Sequence, residues 1–289
     1  MRAGKRGKHR KSTALRSIAR RWVAGGLCII AAGGLTLFGW ILGDTQAVKE
    51  DVAMAASMAP KQNLQPEMNA EKVLIVGGSM AHGWKDPNDD SYLKRAFSEL
   101  TSSTDTTWIY DDHTTIGGSP AENNIQSKFR TWVQQDKPQV VVISWGLLND
   151  IVDKTPMRKF NQAIRGEIQD ALAAHAVVVF VTSPVTEATE TYDHQQVANY
   201  ISNEIHDAQS FHSPNVYFLN LNQQMETYMA AHGQTWLNYY GDSWHPNQAG
   251  HILAGKLLFD EWIQTFGTGP VRWQPDAKDS SQENDKAGK

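Results

Sequence analysis

Cysteine is almost absent from this chain: 289 residues hold a single one, Cys28. Everything after residue 43 therefore lacks thiols, which excludes disulfides and cysteine-based catalysis from that part. Cys28 itself follows Leu27, not the small residue a lipid-attachment signal needs, and reads as an apolar side chain among others. Acidic residues are absent from positions 1–43, which carry nine Lys and Arg. Of 27 basic side chains, 18 remain to face all 31 acidic ones, so the net charge of -4 conceals a body of −13. Such a body repels phosphate backbones, which excludes a general nucleic-acid binder. There is no internal repeat, no H-E-x-x-H zinc signature, and no Lys-Ser or Lys-Thr pair after a Gly-rich turn, which excludes a P-loop.

Charge is also missing from Trp22 to Leu42, a run of 21 residues. As a helix this run spans about 31 Å, the thickness of a hydrocarbon core. Trp22 and Trp40 stand near its ends, where interfacial aromatics belong. The positive residues before it hold the N-terminus in the cytoplasm and send the remainder outward. The competing reading is a signal peptide cleaved near Thr45-Gln46-Ala47, with a secreted product. Signal h-regions are ordinarily about 7–15 residues, shorter than this run, so a single-pass membrane anchor is the reading taken. The expected order is a basic cytoplasmic segment (1–21), a transmembrane signal anchor (22–42), a linker (43–70), a catalytic domain (71–268) and a disordered tail (269–289). Residues 274–289 contain no large apolar side chain, which suits a tail.

What is present in 71–268 is a strand–helix alternation. Strand-like runs fall at 72–79, 106–112, 138–146, 176–184 and 215–222, and three of them are continuously apolar, as in strands buried on both faces. Helical patterns fall at Ala121–Gln135, Pro156–His175, Tyr192–Ala208 and Gln248–Phe266, with Pro156 placed in a first turn. This predicts an α/β fold: a three-layer α/β/α sandwich on a mainly parallel five-stranded sheet. Sites in such sheets gather at the carboxyl ends of strands.

Four segments sit at those places. The first is Gly77-Gly78-Ser79-Met80-Ala81-His82-Gly83. A Ser on a tight turn between strand and helix is exposed among backbone N–H groups, which suits a nucleophile; it equally suits a plain turn or an anion-binding loop. It is not the G-x-S-x-G elbow, because Ala81 replaces the last Gly. The second is Ile116-Gly117-Gly118-Ser119, whose glycines allow close backbone approach or simply a turn. The third is Trp145-Gly146-Leu147-Leu148-Asn149-Asp150, where Asn149 either points an amide into a cleft or caps a helix. The fourth is Asp242-Ser243-Trp244-His245-Pro246, in which the carboxylate can orient the imidazole.

Together, and in this order, the four resemble the blocks of the SGNH (GDSL-type) hydrolase family across 71–268. The family's first block, Gly-Asp-Ser-Leu-x-x-Gly, falls on Gly77 to Gly83, with Gly78 and Met80 replacing Asp and Leu. Its second-block Gly falls on Gly118, with Gly117 as the other register. Its Gly-x-x-Asn falls on Gly146 and Asn149, and its Asp-x-x-His-Pro on Asp242, His245 and Pro246. The resemblance implies Ser79 as nucleophile, His245 as base and Asp242 as its orienting carboxylate. It implies an oxyanion hole from the backbone N–H of Ser79 and Gly118 and the side-chain amide of Asn149. It implies neither a cofactor nor a metal.

Trp84, Trp145 and Trp244 lie within a few residues of these positions, where aromatic faces suit either sugar rings or core packing. Substrate contacts are therefore expected at Gly117, Gly146, Trp84, Trp145 and Trp244. A tethered extracytoplasmic member of such a family meets cell-envelope polymers, so the expected activity is hydrolysis of acyl esters, above all O-acetyl esters, of envelope or exported polysaccharide. Transfer of an acyl group onto a glycan beside a membrane acyl-donor protein uses the same triad. A lipid esterase and an inactive glycan-binding protein are the remaining readings. His113 beside Asp111 and Asp112 reads as a strand-end cluster, and His82 as a loop histidine near the cleft.

Overall fold

The computed structural model describes residues 69–122 and 125–275. The basic segment 1–21, the expected membrane span 22–42, nearly all of the linker and residues 276–289 lie outside the described residues. Among the described residues no helix is long and apolar enough to cross a membrane.

Five strands form one sheet: β1 (Asn69–Gly77), β2 (Thr106–Asp112), β3 (Val140–Ser144), β4 (Val177–Val181) and β5 (Val216–Leu219). Their order is β2-β1-β3-β4-β5 and every pair is parallel. The sheet is thus wholly parallel, and the expected five-stranded α/β fold is found. The Val- and Ile-rich centre strands β3 and β4 are buried at every residue, because helices cover both faces, while the edge strands β2 and β5 are partly open. Each fully buried Val or Ile contributes roughly 1.5–3 kcal/mol by leaving water.

Nine helices are described. They are α1 (Ser79–His82), α2 (Tyr92–Ser103), α3 (Ile125–Asp136), α4 (Leu148–Val152), α5 (Met157–Ala173), α6 (Glu187–Glu190), α7 (His194–Ser210), α8 (Leu221–Ala231) and α9 (Gln248–Phe266). The chain passes leftward from β1 to β2 and then returns past β1 to β3, so right-handed crossovers place α2 and α3 on opposite faces. The last helix packs against α2 so closely that a Cβ at Gly255 would stand 2.9 Å from Arg95 Cβ. Between them an aromatic cluster joins Trp262, Phe97 and Trp108. Asn247 caps α9 by accepting the Gly250 N–H at 3.0 Å.

Several boundaries differ from the sequence expectations. α2 and α8 have no counterpart among the predicted helices. The tail does not begin at 269: Val271 donates its N–H to buried Glu71 at 3.0 Å, and Gln274 and Asn215 exchange hydrogen bonds of 2.8 and 2.7 Å. Glu71 belongs to β1, which already opens at Asn69 within the expected linker. Pro156 is the residue before α5 and not in its first turn. A two-stranded antiparallel ribbon, β6 (Tyr240–Asp242) and β7 (His245–Pro246), precedes α9.

Candidate active site

The reversal of chain direction between β1 and β3 leaves a crevice at their carboxyl ends, where open α/β sheets bind ligands. Ser79 and Asn149 follow these two strands directly. Gly77 ends β1 against β3 so tightly that a Cβ there would lie 2.2 Å from Ser144 O and 2.6 Å from Ala81 Cβ. Only glycine permits that approach, and it sets Ser79 at the first position of α1. The following turn is closed by Gly83, at φ 99°, and by the Trp84 N–H donating to Ser79 O at 3.0 Å.

The ribbon supplies the other half. A Cβ at Gly241 would stand 2.8 Å from Pro246 O, so the two ribbon strands meet there through glycine as well. Ser79 Oγ lies 2.7 Å from His245 Nε2, and His245 Nδ1 lies 2.8 Å from Asp242 Oδ1. With Nδ1–H donating to the carboxylate, Nε2 accepts the Ser79 hydroxyl proton. The Trp244 N–H also donates to Asp242 Oδ1, at 2.9 Å, and Lys85 Nζ stands 3.4 Å from Asp242 Oδ2. Burial opposes ionisation of Asp242, but these donors together hold its pKa below the usual carboxylate value. Burial pushes His245 below the ordinary imidazole value; Asp242 resists this and Lys85 adds to it. The imidazole is therefore neutral and available as a base at neutral pH.

The ribbon is braced from outside. Ser243 Oγ donates to Glu187 Oε2 at 2.6 Å, and the Ala188 N–H donates to Ser243 O at 2.9 Å, tying the ribbon to α6. Buried His251 of α9 stacks on Tyr92 with centroids 6.1 Å apart, and its Nε2 lies 3.3 Å from Trp84 O, steadying the loop beside the site.

The expected oxyanion groups converge with one difference. A Cβ at Gly117 would be 4.0 Å from Asn149 Nδ2, and one at Gly78 would be 3.3 Å from Gly118 O and 3.6 Å from Gly146 N, so all four expected segments meet here. Gly118, however, donates its N–H to Thr115 O at 3.0 Å, closing its own turn. That donor is engaged within the protein and is not aimed freely at Ser79. Buried Asp150 accepts from Ser119 Oγ at 2.6 Å and so holds the Gly117–Gly118 loop against α4. Leu147, at φ 65°, carries the strain of the tight exit from β3.

Trp145 is not a substrate contact. It is 2% exposed, its Nε1 donates to Glu167 Oε2 at 3.0 Å, and its ring lies under Gly118. Glu167 is fully buried, and burial pushes its pKa up to about 8, with the Trp145 donor opposing the rise and Asp150 adding to it. Burial also raises Glu204 well above the usual value, with Asp150 and Glu167 adding repulsion. Trp84 does flank the site: it is 38% exposed and meets the His245 ring edge-on with centroids 6.5 Å apart. Trp244 donates Nε1–H to exposed Tyr192 at 3.1 Å, giving a second aromatic surface. His82 is held by Thr114, with Nδ1 2.9 Å from Oγ1. Lys85, Glu187, Ser119 and Tyr192 are site residues that sequence reasoning missed. Only Ser119, next to Gly118, carried a positional signal.

The comparisons with known proteins agree with this geometry. No curated protein matches the chain. Solved structures share its fold at low identity. The psychrotrophic esterase EstA of a Pseudoalteromonas species is 16% identical, with a TM-score of 0.52 over 67% of this chain and 99% of its own. A catalytic mutant of the acetylxylan esterase Axe2 from Geobacillus stearothermophilus is 13% identical, with 0.53 over 72% and 98%. A lipase/acylhydrolase from Enterococcus faecalis is 15% identical, with 0.54 over 70% and 100%. The model of the GDSL-like Lipase/Acylhydrolase family matches residues 75–253, from the middle of β1 into α9 and so across all the site segments. The chain belongs to the GDSL-like lipase/acylhydrolase family and is a serine hydrolase of the esterase and acylhydrolase type.

Proposed function

We infer that the protein is a membrane-anchored extracytoplasmic esterase that removes O-acetyl groups from envelope or exported polysaccharide, with Ser79 as nucleophile. The observation that carries this reading is the hydrogen-bonded line from Ser79 through His245 to Asp242, with Trp84 on one side and Trp244 with Tyr192 beside it. Exposed aromatic faces next to an ester-cleaving group suit sugar rings better than they suit water.

His245 takes the Ser79 proton as Oγ attacks the acetyl carbonyl, and Asp242 stabilises the imidazolium that forms. The Asn149 amide and the Ser79 N–H receive the oxyanion. His245 then returns the proton to the departing sugar hydroxyl, and water repeats the sequence on the acetyl-enzyme. The fold of an acetylxylan esterase among the structural neighbours adds support for a carbohydrate ester. The anchor rests on the uncharged run Trp22–Leu42 behind nine basic residues.

The test is acetyl release from acetylated polysaccharides, beside aryl esters of increasing chain length. Acetate is expected to be the preferred acyl group, and Ser79→Ala is expected to abolish release with an unchanged circular dichroism spectrum. A preference for long acyl chains would overturn the carbohydrate reading. Acyl-enzyme that turns over only when a glycan hydroxyl is supplied would replace hydrolysis by transfer. Release of the full chain from membranes by alkaline carbonate alone, without detergent, would overturn the anchor.

A further inference from the structure

At the β2 edge of the sheet, the end of β2 meets the end of α3. There three side chains converge: Asp111, His113 and Asp136 each place one ligand atom within 4.8 Å of the others. His113 Nε2 stands 3.3 Å from Asp111 Oδ1 and 3.4 Å from Asp136 Oδ2. An imidazolium between two carboxylates pulls at least one of them to about 2.7–2.9 Å. Here neither oxygen comes that close. Nε2 is shielded from solvent and has no hydrogen-bond partner.

These separations have another meaning. Zinc binds imidazole nitrogen and carboxylate oxygen at about 2.0–2.2 Å, and two such ligands on a tetrahedral ion stand about 3.4 Å apart. The two nitrogen–oxygen distances match the edges of such a tetrahedron. Two further observations agree. The His113 ring lies flat on Trp132, with centroids 4.4 Å apart and planes 22° apart, so its nitrogen is aimed before any ligand arrives. Asp136 is the last residue of α3, where the helix dipole repels a carboxylate, and Asp111 adds a second negative charge. A cation removes both costs.

We propose that Asp111, His113 and Asp136 form a binding site for one divalent first-row metal ion of the zinc class, with a water as fourth ligand. The role is structural. His113 donates its backbone N–H to Ile75 O and Thr115 donates to Gly77 O, so the segment leaving the metal site is laced to the strand that presents Ser79. Thr115 O is in turn the acceptor for Gly118. The ion fixes the root of the loop that faces Asn149, and takes no part in ester cleavage.

The test is made on the full-length chain, stripped with chelator and titrated with zinc alone. One zinc per chain is expected at the site, with a rise in Tm. Asp136→Asn and His113→Asn are each expected to weaken binding by at least the roughly 10–100-fold that loss of even an outer metal partner costs. The metal-free Asp136→Asn protein is expected to melt no lower than its parent, because it loses a charge that the helix end and Asp111 repel and keeps an oxygen facing His113. Cobalt(II) supplied in place of zinc is expected to give the intense visible absorption of tetrahedral coordination, a readout that needs no variant. Absence of any zinc-dependent rise in Tm overturns the proposal. So does parental zinc affinity in both variants, which would move binding to Glu190, His194 and Glu226, the other grouping of this kind among the described residues. Weak octahedral cobalt absorption overturns it as well.

Discussion

The two halves of the hydrogen-bonded line from Ser79 to Asp242 are built on different plans. Ser79 stands on the central strand of the sheet, in a turn set by backbone contact, where even a methyl group at Gly77 would collide with β3. Asp242 and His245 stand on a short two-stranded ribbon outside the sheet, and Asp242 is 36% exposed. Inside the ribbon Gly241 meets Pro246 closely too, but the ribbon is tied to its surroundings by single polar contacts, from Ser243 to Glu187 and Ala188 and from Lys85 to Asp242. Ser79 is thus placed by the same packing that folds the domain, and His245 by a ribbon whose outer polar contacts can be removed one at a time. Stability and activity should therefore be tightly linked on the Ser79 side and separable on the ribbon.

The largest expected effect on the ribbon comes from Asp242→Asn, which is expected to lower kcat about 10⁴-fold by favouring the wrong imidazole tautomer, with Tm nearly unchanged. Steady-state kinetics on an aryl acetate, with a melting curve, checks both parts. Asn149→Ala comes next, at about 10²–10³-fold in kcat for one lost oxyanion donor. A much smaller loss would mean that the amide is not aimed at the developing charge. Gly77→Ala is the converse case. It is expected to cost about 1–3 kcal/mol of stability through overpacking, and activity with it, read by denaturant unfolding. If Gly77→Ala kept its stability and lost only activity, the contrast between the halves would fail.

The smallest effect is a shift in pH dependence. Lys85 lies close enough to favour neutral His245, so Lys85→Met raises the imidazole pKa. The base must be neutral, so the acid limb of kcat/KM is expected to move to higher pH, while kcat on the plateau changes little. A shift to lower pH would reverse the assigned sign.

The chain order of the site was legible because each piece follows a strand whose apolar run is unambiguous, as with Val140–Ser144 before Gly146 and Asn149. Gln248–Phe266 was legible to the residue, since Asn247 caps it and Gly267 ends it. The α2 helix carries its own signal too, because Tyr92, Leu93, Ala96, Phe97 and Leu100 recur at helical spacing behind the Ser91 cap and form its buried face. Trp145 was misread for a physical reason: an aromatic beside a catalytic segment can face the cleft or the floor, and only the buried partner Glu167 decides which. Lys85 gave no signal, as a charged residue in a turn is ordinarily solvated. The engaged Gly118 N–H was equally hidden, because a Gly-Gly pair does not say which amide a turn will use.

Beneath the Gly117–Gly118 loop, burial pushes the Glu167 carboxyl up to about 8 and raises Glu204 well above the usual value. A composition count treats both as anions. Burial favours the neutral form of both, so an approaching polymer meets a weaker negative field than −13 suggests. The folded form binds protons that the unfolded chain has already released above about pH 4.5. Stability contributed by these carboxyls is therefore full in acid and drains away as the pH rises toward 8. The protein stands over an internal store of protons, and alkali discharges that store directly under Trp145, the floor of the Gly117–Gly118 loop.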